Sequence, residues 1–317
     1  MPEEQADLCV FAPTLFLTVT VESVADTDET DIHFHPGGQG FWIARVLRRL
    51  GLRPVIVAPF GGETGDVLRG LLGTWDVDFT AVDIQQSSPV YMHDRRGGQR
   101  VSIAESPIPV LNRHELDDLY GRMLSTAAGA EICVVTGRAP GDTLSVELYR
   151  RLGADLAALN VAVIGDLHGA ELEAFLDKGA LHTLKVSDGD LVEDGALVED
   201  AGTSQRVKAL RRLRQLGAQR VVLSSDAHPT LACFGDEFYQ AQVPTLESVD
   251  HRGSGDSMTA GLAMAAIHRL DPIRALQISC AAGAANVTRH GLGNMEVGLV
   301  EQLADRVEVE PLDGGDH

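Results

Sequence analysis

The chain has 317 residues, 44% of them hydrophobic, so it is long enough for one large α/β domain with a substantial core. Lys and Arg total 26 against 46 Asp and Glu, which gives a formal net charge of -20 at pH 7. A field of this sign repels nucleic acid and anionic membranes, and we expect neither as a partner.

The N-terminal residues lack the basic region of a secretory signal, and no apolar run approaches 18 residues. The cysteines show no paired spacing, and three of the four lie in apolar runs, which indicates buried thiols in a reducing compartment. They are Cys9, Cys133, Cys233 and Cys280. We expect a cytoplasmic protein.

The first third of the chain predicts a short buried strand at 8–11 and then two hairpins. Residues 15–21 alternate apolar side chains with Thr, the period-2 pattern of a half-exposed strand, and 32–35 returns beside them. Residues 90–93 and 100–103 form a second pair around an Arg-Arg-Gly-Gly turn.

The remaining chain alternates short apolar runs with helical periodicity. Apolar runs of four or five residues, each followed by a helix, are typical of parallel strands covered on both faces. The predicted strands are 54–58, 77–82, 132–135, 161–164, 181–186 and 220–224, and the helices are 38–50, 65–72, 113–127, 143–159, 204–216, 263–269 and 272–289. The acidic, Gly-rich segment 306–317 predicts a frayed tail.

A glycine turn at 253–255 precedes a run of small apolar residues and predicts a helix N-terminus. Such a terminus offers unpaired N–H groups to a phosphate, and Asp256 stands where the helix begins. A carboxylate beside an anion cradle suits a base that takes the proton from a hydroxyl during phosphoryl transfer. The simpler interpretation is an N-capping Asp, which stabilises a helix by about 1 kcal/mol.

The segment 253–261, Gly-Ser-Gly-Asp-Ser-Met-Thr-Ala-Gly, resembles the C-terminal signature of the ribokinase-like (PfkB-type) carbohydrate kinases. Pro-Gly-Gly-Gln-Gly at 36–40 is similar to the Gly-Gly-Lys-Gly helix start of the 1-phosphofructokinase and tagatose-6-phosphate kinase branch, and 60–65 resembles that branch's Gly-Gly turn. These motifs span nearly the whole chain. The resemblance implies a three-layer α/β sandwich over 1–317, with a mostly parallel sheet and a small β-sheet lid formed by about 13–36 and 86–105.

The family's activity implies an ATP- and Mg²⁺-dependent kinase acting on a hydroxyl of a sugar or sugar phosphate. Asp256 would be the general base, and Gly253, Ser254 and Gly255 would supply N–H groups to the phosphoryl oxygens. At the donor end the matching residues are Lys185, Ser187, Ser224, Asp226, Gly283 and Asn286, and Asp190 would reach Mg²⁺ through water. The lid often makes the dimer contact in the family, which implies a homodimer through the lid.

The acceptor end departs most from the family pattern. Phe16 stands where a hydroxyl-binding Asp is usual, Gln39 replaces the Lys of Gly-Gly-Lys-Gly, and Trp42 replaces an Asn. The loss of a Lys removes a charge-assisted contact, typically about 1.5–3 kcal/mol. The remaining residues matched to this end are Gly37, Gly38 and Arg138, the last as a possible phosphate ligand.

Other departures lie at the donor end, where Ser187 and Asp190 replace the Asn and Glu of Lys-Pro-Asn-x-x-Glu and Asp226 falls in a loop that lacks its two usual glycines. His33 and His35 share a strand face, but without a Cys or carboxylate at ligand spacing a polar lid face is favoured over a metal site.

Two alternatives stay open. The aromatic residues Phe16 and Trp42 suit a kinase of the same fold acting on a nucleoside or another aromatic-bearing alcohol. The accumulated departures also suit a ligand-binding homologue that has lost efficient catalysis.

Overall fold

The computed structural model describes residues 6–24, 27, 29–244, 246, 252–287 and 296–312. Within these residues the strands are β1 (Leu8–Phe11), β2 (Phe16–Ser23), β3 (Thr30–Gly37), β4 (Pro54–Gly61), β5 (Asp78–Ile84), β6 (Val90–Asp94), β7 (Val101–Glu105), β8 (Ile132–Thr136), β9 (Ala162–Asp166), β10 (Thr183–Ser187), β11 (Arg220–Ser224), β12 (Thr230–Phe234), β13 (Glu237–Gln242) and β14 (Glu308–Leu312). The helices are α1 (Gln39–Arg49), α2 (Gly62–Thr74), α3 (Arg113–Ala128), α4 (Val146–Ala158), α5 (Gly169–Leu176), α6 (Asp188–Glu193), α7 (Thr203–Gln215), α8 (Ser254–Ile267), α9 (Pro272–Val287) and α10 (Val297–Ala304).

The main sheet has the strand order β14-β13-β12-β11-β10-β9-β8-β1-β4-β5. Strands β11 to β5 in this order pair in parallel, and β12, β13 and β14 add an antiparallel edge. The α/β sandwich predicted from the sequence is therefore confirmed.

Alternate residues of each central strand enter opposite cores, because side chains of a strand point to opposite faces in turn. In β1, Leu8 and Val10 pack with α1, α8 and α9, whereas Cys9 and Phe11 pack with α3, α4 and α5. All four residues are at most 1% exposed. This burial on both faces explains why the parallel strands appear in the sequence as continuous apolar runs.

The smaller sheet has the order β3-β2-β6-β7 and consists of the segments predicted to form the lid, and it is called the lid below. The two predicted hairpins, β2–β3 and β6–β7, are joined by parallel pairing of β2 with β6. The face here called the inner lid face carries Phe16, Thr18, Thr20, His35, Tyr91 and His93. The opposite face, here called the outer lid face, carries the exposed Ile32, Phe34 and Val101, and also Leu17 and Val19, which are buried in the core. The inner lid face lies towards α1, since the His35 ring is 5.5 Å from that of Trp42.

The C-terminal prediction is wrong in part. Residues 308–312, expected to fray, form β14, which pairs antiparallel with β13 at the sheet edge. This strand lacks the apolar run that would predict it from the sequence. It lies at the edge of the sheet, where Glu308 and Glu310 are exposed and the backbone pairs on one side only. Residues 313–317 lie outside the described part of the chain.

Among the described residues, no helix combines the length and apolar character that crossing a membrane requires. The cysteines Cys9, Cys133, Cys233 and Cys280 are buried free thiols, as the sequence predicted.

Candidate active site

The glycine turn (residues 253–255) begins α8, as predicted. Gly253 is the N-cap in the left-handed region, with φ 73°, where a side chain would strain the backbone. The Ser257 N–H and Oγ–H both donate to the Gly253 carbonyl, at 2.9 and 2.7 Å, which fixes the turn on the helix. The first N–H groups of α8 therefore point outward at the position where an anion would be held.

Three charged groups meet beneath this turn. Asp166 ends β9, and its neighbour in the sheet is Lys185 on β10, with Nζ 3.7 Å from Asp166 Oδ1. Thr259 on α8 donates its hydroxyl to Asp166 Oδ2 at 2.6 Å, which ties the helix to the sheet. The Lys185 ammonium also reaches the glycine turn, because a Cβ added at Gly255 would lie 2.5 Å from Nζ.

Asp256 in the first turn of α8 completes this group. Burial and the nearby Asp166 carboxylate raise the pKa of Asp256 to about 7, against the lowering effect of Lys185. Burial also raises the pKa of Asp166. Burial alone would lower the pKa of Lys185, but Asp166, Asp190 and Asp256 raise it overall. A carboxylate that titrates near neutrality, beside a permanently charged ammonium, is suited to accept a proton at physiological pH.

The Asp166→Asn variant tests this electrostatic coupling. Removal of a negative charge beside Asp256 should lower the pKa of Asp256 below about 7, so the acid limb of the pH–rate profile should move to lower pH. The measurement is kcat/KM against pH. An acid limb that stays in place while overall activity falls would show that Asp166 acts only on the fold.

At the donor end, Ser187 and Asp190 form a capping box at the start of α6. Ser187 Oγ accepts from the Asp190 N–H at 3.1 Å, and Asp190 Oδ2 accepts from the Ser187 N–H at 2.8 Å. One carboxylate oxygen of Asp190 is thus engaged with the backbone. The other remains compatible with a water-mediated Mg²⁺ contact, since Mg²⁺ usually keeps several waters and takes few protein ligands. Among the described residues, no three or more His, Cys, Asp or Glu side chains are grouped so that they could hold a metal ion.

The loop after β11 carries Ser224 and Asp226. Ser224 is partly buried at the strand end and donates to the Val186 carbonyl at 3.4 Å, whereas Asp226 is exposed. Asp226 lines a cavity of about 200 Å³ that this loop forms with α6 and the segment before α7. A buried arginine, Arg206, holds both walls together by donating to Asp188 and to the Pro229 carbonyl, each at 3.0 Å.

Gly283 and Asn286 on α9 lie against the glycine turn. A Cβ at Gly283 would come within 3.0 Å of Ser254 Oγ, so glycine lets the two helices approach closely. Asn286 is 2% exposed and donates its amide to the Arg252 carbonyl at 2.7 Å, which positions the residue before the turn. Both residues therefore contact the loop that would hold the phosphoryl group.

At the acceptor end, Gly37 and Gly38 lead into α1, with Gly38 as the N-cap and Gln39 partly exposed behind it. Trp42 is only 6% exposed and packs against Phe41 and His35. Arg138 is held by an ion pair with Glu171 and by a 2.8 Å hydrogen bond to the Leu144 carbonyl.

Phe16 occupies the inner lid face beside Tyr91, with ring centroids 4.5 Å apart. Tyr91 and Thr259, which contact the candidate residues Phe16 and Asp166, were not predicted from the sequence. Tyr91 could have been found from strand pairing, since it faces Thr18, two residues along β2 from Phe16. The hydrogen bond from Thr259 to Asp166 joins residues 93 positions apart and has no local signal.

The class of protein that combines a mostly parallel α/β sandwich, a glycine turn at a helix N-terminus, a carboxylate with a pKa of about 7 and a small second sheet is that of the small-molecule kinases. Comparison with known proteins agrees: the model of the "pfkB family carbohydrate kinase" matches residues 6–297. The chain is 24% identical to the ATP-dependent 6-phosphofructokinase isozyme 2 of Mycobacterium tuberculosis over 308 residues, which cover 96% of this chain and 89% of that protein.

Solved structures show the same fold. Phosphofructokinase-2 from Escherichia coli in complex with potassium has a TM-score of 0.83 at 22% identity, covering 96% of this chain and 99% of that one. A possible 1-phosphofructokinase from Thermotoga maritima has a TM-score of 0.82 at 17% identity, with the same coverage. The E. coli protein has also been solved in a tetrameric inhibited form.

The chain belongs to the pfkB family of carbohydrate kinases. It is an ATP-dependent sugar kinase.

Proposed function

We propose that the protein transfers the γ-phosphoryl group of ATP to a hydroxyl of a sugar, with Asp256 as general base and the glycine turn as anion hole. One observation supports this assignment: Asp256 and the Lys185 ammonium both lie at the glycine turn that begins α8.

In the proposed step, the acceptor hydroxyl gives its proton to Asp256 as its oxygen forms a bond to the γ-phosphorus. The bond from that phosphorus to the β–γ bridging oxygen breaks, and ADP leaves. The N–H groups of Gly255 and its neighbours, together with Lys185, would stabilise the charge on the transferring oxygens. Mg²⁺, when bound with ATP, would neutralise phosphate charge, and Asp190, which has one carboxylate oxygen outside the hydrogen bond with the Ser187 N–H, would orient its waters.

The donor nucleotide would lie across the ends of β10 and β11. Ser187 and Ser224 are neighbours in the sheet register and stand at the edge of the site. The exposed Asp226 would oppose a phosphate, so we place the phosphates at Lys185 and the glycine turn, away from this loop.

The test is release of ADP by the purified wild-type protein with ATP and Mg²⁺, measured with and without a panel of sugars and sugar phosphates. We expect acceptor-stimulated release that is lost on chelation of Mg²⁺. Stabilisation by ATP in a thermal-shift assay, with no stimulated release for any acceptor, would instead favour a member of the family that has lost turnover.

We also propose a homodimer through the outer lid face. Ile32, Phe34 and Val101 are 52%, 54% and 60% exposed there, which is a concentration of apolar surface that a partner copy would cover. Phe34→Glu should shift the protein to monomer in sedimentation velocity. Leu159→Glu, at an exposed apolar site at the end of α4, is the matched control and should not. A wild-type protein that sediments as a monomer would contradict the proposal.

A further inference from the structure

Two aromatic rings form a platform at the acceptor end. Phe16 and Tyr91 pack with centroids 4.5 Å apart and planes at 42°, and both residues are partly exposed. Phe16 pairs with Gly37 across β2 and β3, and a Cβ at Gly37 would overlap the Phe16 ring. The ring therefore lies over the glycines that begin α1, so the platform (Phe16 and Tyr91) borders the start of this helix.

The two imidazoles on the inner lid face, His35 and His93, are uncharged at neutral pH, although the cations Arg100 and Arg252 lie near His93. His93 lies 6.2 Å from the Tyr91 ring, and burial, Arg100 and Arg252 lower the pKa of His93 to about 4. Burial likewise lowers the pKa of His35. Since a guanidinium can only donate, the hydrogen bond between Arg100 and His93 requires a neutral imidazole as acceptor. The inner lid face thus offers hydroxyls and neutral imidazoles as hydrogen-bonding groups.

Three arginines around this end have carboxylate partners. Arg138 pairs with Glu171, Arg96 with Asp94, and Arg95 with Glu22. A phosphate carried by the acceptor would have to displace these carboxylates, and Gln39 supplies no charge in their place. Arg252 lies next to the glycine turn, and its substitution in the experiment below tests whether it binds a phosphate of the acceptor.

We propose that the acceptor is an uncharged sugar bearing a planar or apolar ring, a glycoside or a nucleoside, and that this ring packs on Phe16 and Tyr91. The inference rests on the proposed kinase function and names its substrate class. Large aromatic surfaces contribute to affinity through burial and ring geometry together, and a site with neutral polar groups at its edge orients such a ligand.

The experiment compares kcat/KM of the wild-type protein for three groups of acceptors: fructose 6-phosphate and fructose 1-phosphate; fructose and ribose; and phenyl glucoside, adenosine and uridine. We expect the ring-bearing group to exceed both others by about tenfold or more. Comparison of phenyl glucoside with adenosine and uridine shows whether the ring belongs to a glycoside or to a nucleoside. Higher kcat/KM for a sugar phosphate, lost in Arg252→Gln, would overturn the inference while leaving the kinase function intact.

Phe16→Leu removes the ring and keeps an apolar side chain. We expect KM for ring-bearing acceptors to rise about tenfold with kcat preserved, and KM for fructose to stay the same. Phe79→Leu is the matched control, since Phe79 pairs with Phe60 at the same 42° angle in the main sheet. An equal KM change in both variants would overturn the inference.

Calorimetric titration of the same compounds separates the two proposals if no acceptor is phosphorylated. Binding of ring-bearing sugars that weakens in Phe16→Leu would uphold the substrate class and reject the kinase function. Tighter binding of fructose 6-phosphate than of any neutral ligand would reject the substrate class.

Discussion

Asp256→Asn is expected to lower kcat by about 10²- to 10⁴-fold, the usual contribution of a positioned general base. ATP binding should change little. The amide keeps the shape of the side chain but cannot accept the hydroxyl proton. The measurement is acceptor-stimulated ADP release, with ATP affinity from thermal shift. Asp78→Asn, at an exposed carboxylate on β5, is the control and should retain full activity.

The same variant should be more stable than the wild type at pH 8. The pKa of Asp256 is about 7 in the folded protein and 3.8 as its ordinary value, so the folded state disfavours the charged form. Below pH 3.8 the carboxyl is protonated in both the folded and the unfolded state, so Asp256 does not reduce the free energy of unfolding. As the pH rises from 3.8 towards 7, ionisation favours the unfolded state and this stability is lost. The melting temperatures of variant and wild type should therefore converge at acid pH. Retained turnover would contradict the role of Asp256, and a melting difference independent of pH would contradict its raised pKa.

Lys185→Met is expected to lower kcat by about 10²- to 10³-fold, the usual effect of removing one charge-stabilising group from an active site. The methionine fills the buried space but leaves the two carboxylates without a cation. Because Lys185 lowers the pKa of Asp256, its loss should also move the acid limb of the pH–rate profile to higher pH, opposite to Asp166→Asn.

The double variant Lys185→Met/Asp166→Asn separates catalysis from stability. Removal of one partner of a buried ion pair typically costs about 3–5 kcal/mol, because the other charge is left unpaired. The double variant carries no unpaired charge at these positions, so its stability in urea should recover, whereas its kcat should stay low. Recovery of the rate as well would show that Lys185 serves only to neutralise Asp166.

The body of the fold could be predicted from sequence because its parallel strands are buried on both faces. Continuous runs such as 132–135 fix a strand without knowledge of its neighbours. The β12–β13 hairpin and the short helices α5, α6 and α10 were not predicted. Helices of eight residues or fewer carry too few turns for a clear helical period, and their ends are set by tertiary contacts.

The glycine turn and Asp256 could be located because backbone constraints leave a local signature. The surroundings of Asp256 could not, since Thr259, Asp166 and Lys185 come together only when β9, β10 and α8 pack. The same limit applies to Trp42, whose ring contacts with Phe41 and His35 are set by tertiary packing, so its assignment to the acceptor end stays a prediction. The roles assigned to the individual site residues remain predictions.

The hydrogen bond from Thr259 to Asp166 has a consequence for how the protein closes around a substrate. It fastens the helix bearing Asp256 to the middle of the rigid sheet, so the base cannot travel towards the acceptor hydroxyl. We therefore expect any closure around an acceptor to come from the lid sheet and not from α8. Little reorganisation would then be needed at the carboxylate that is proposed to take the proton.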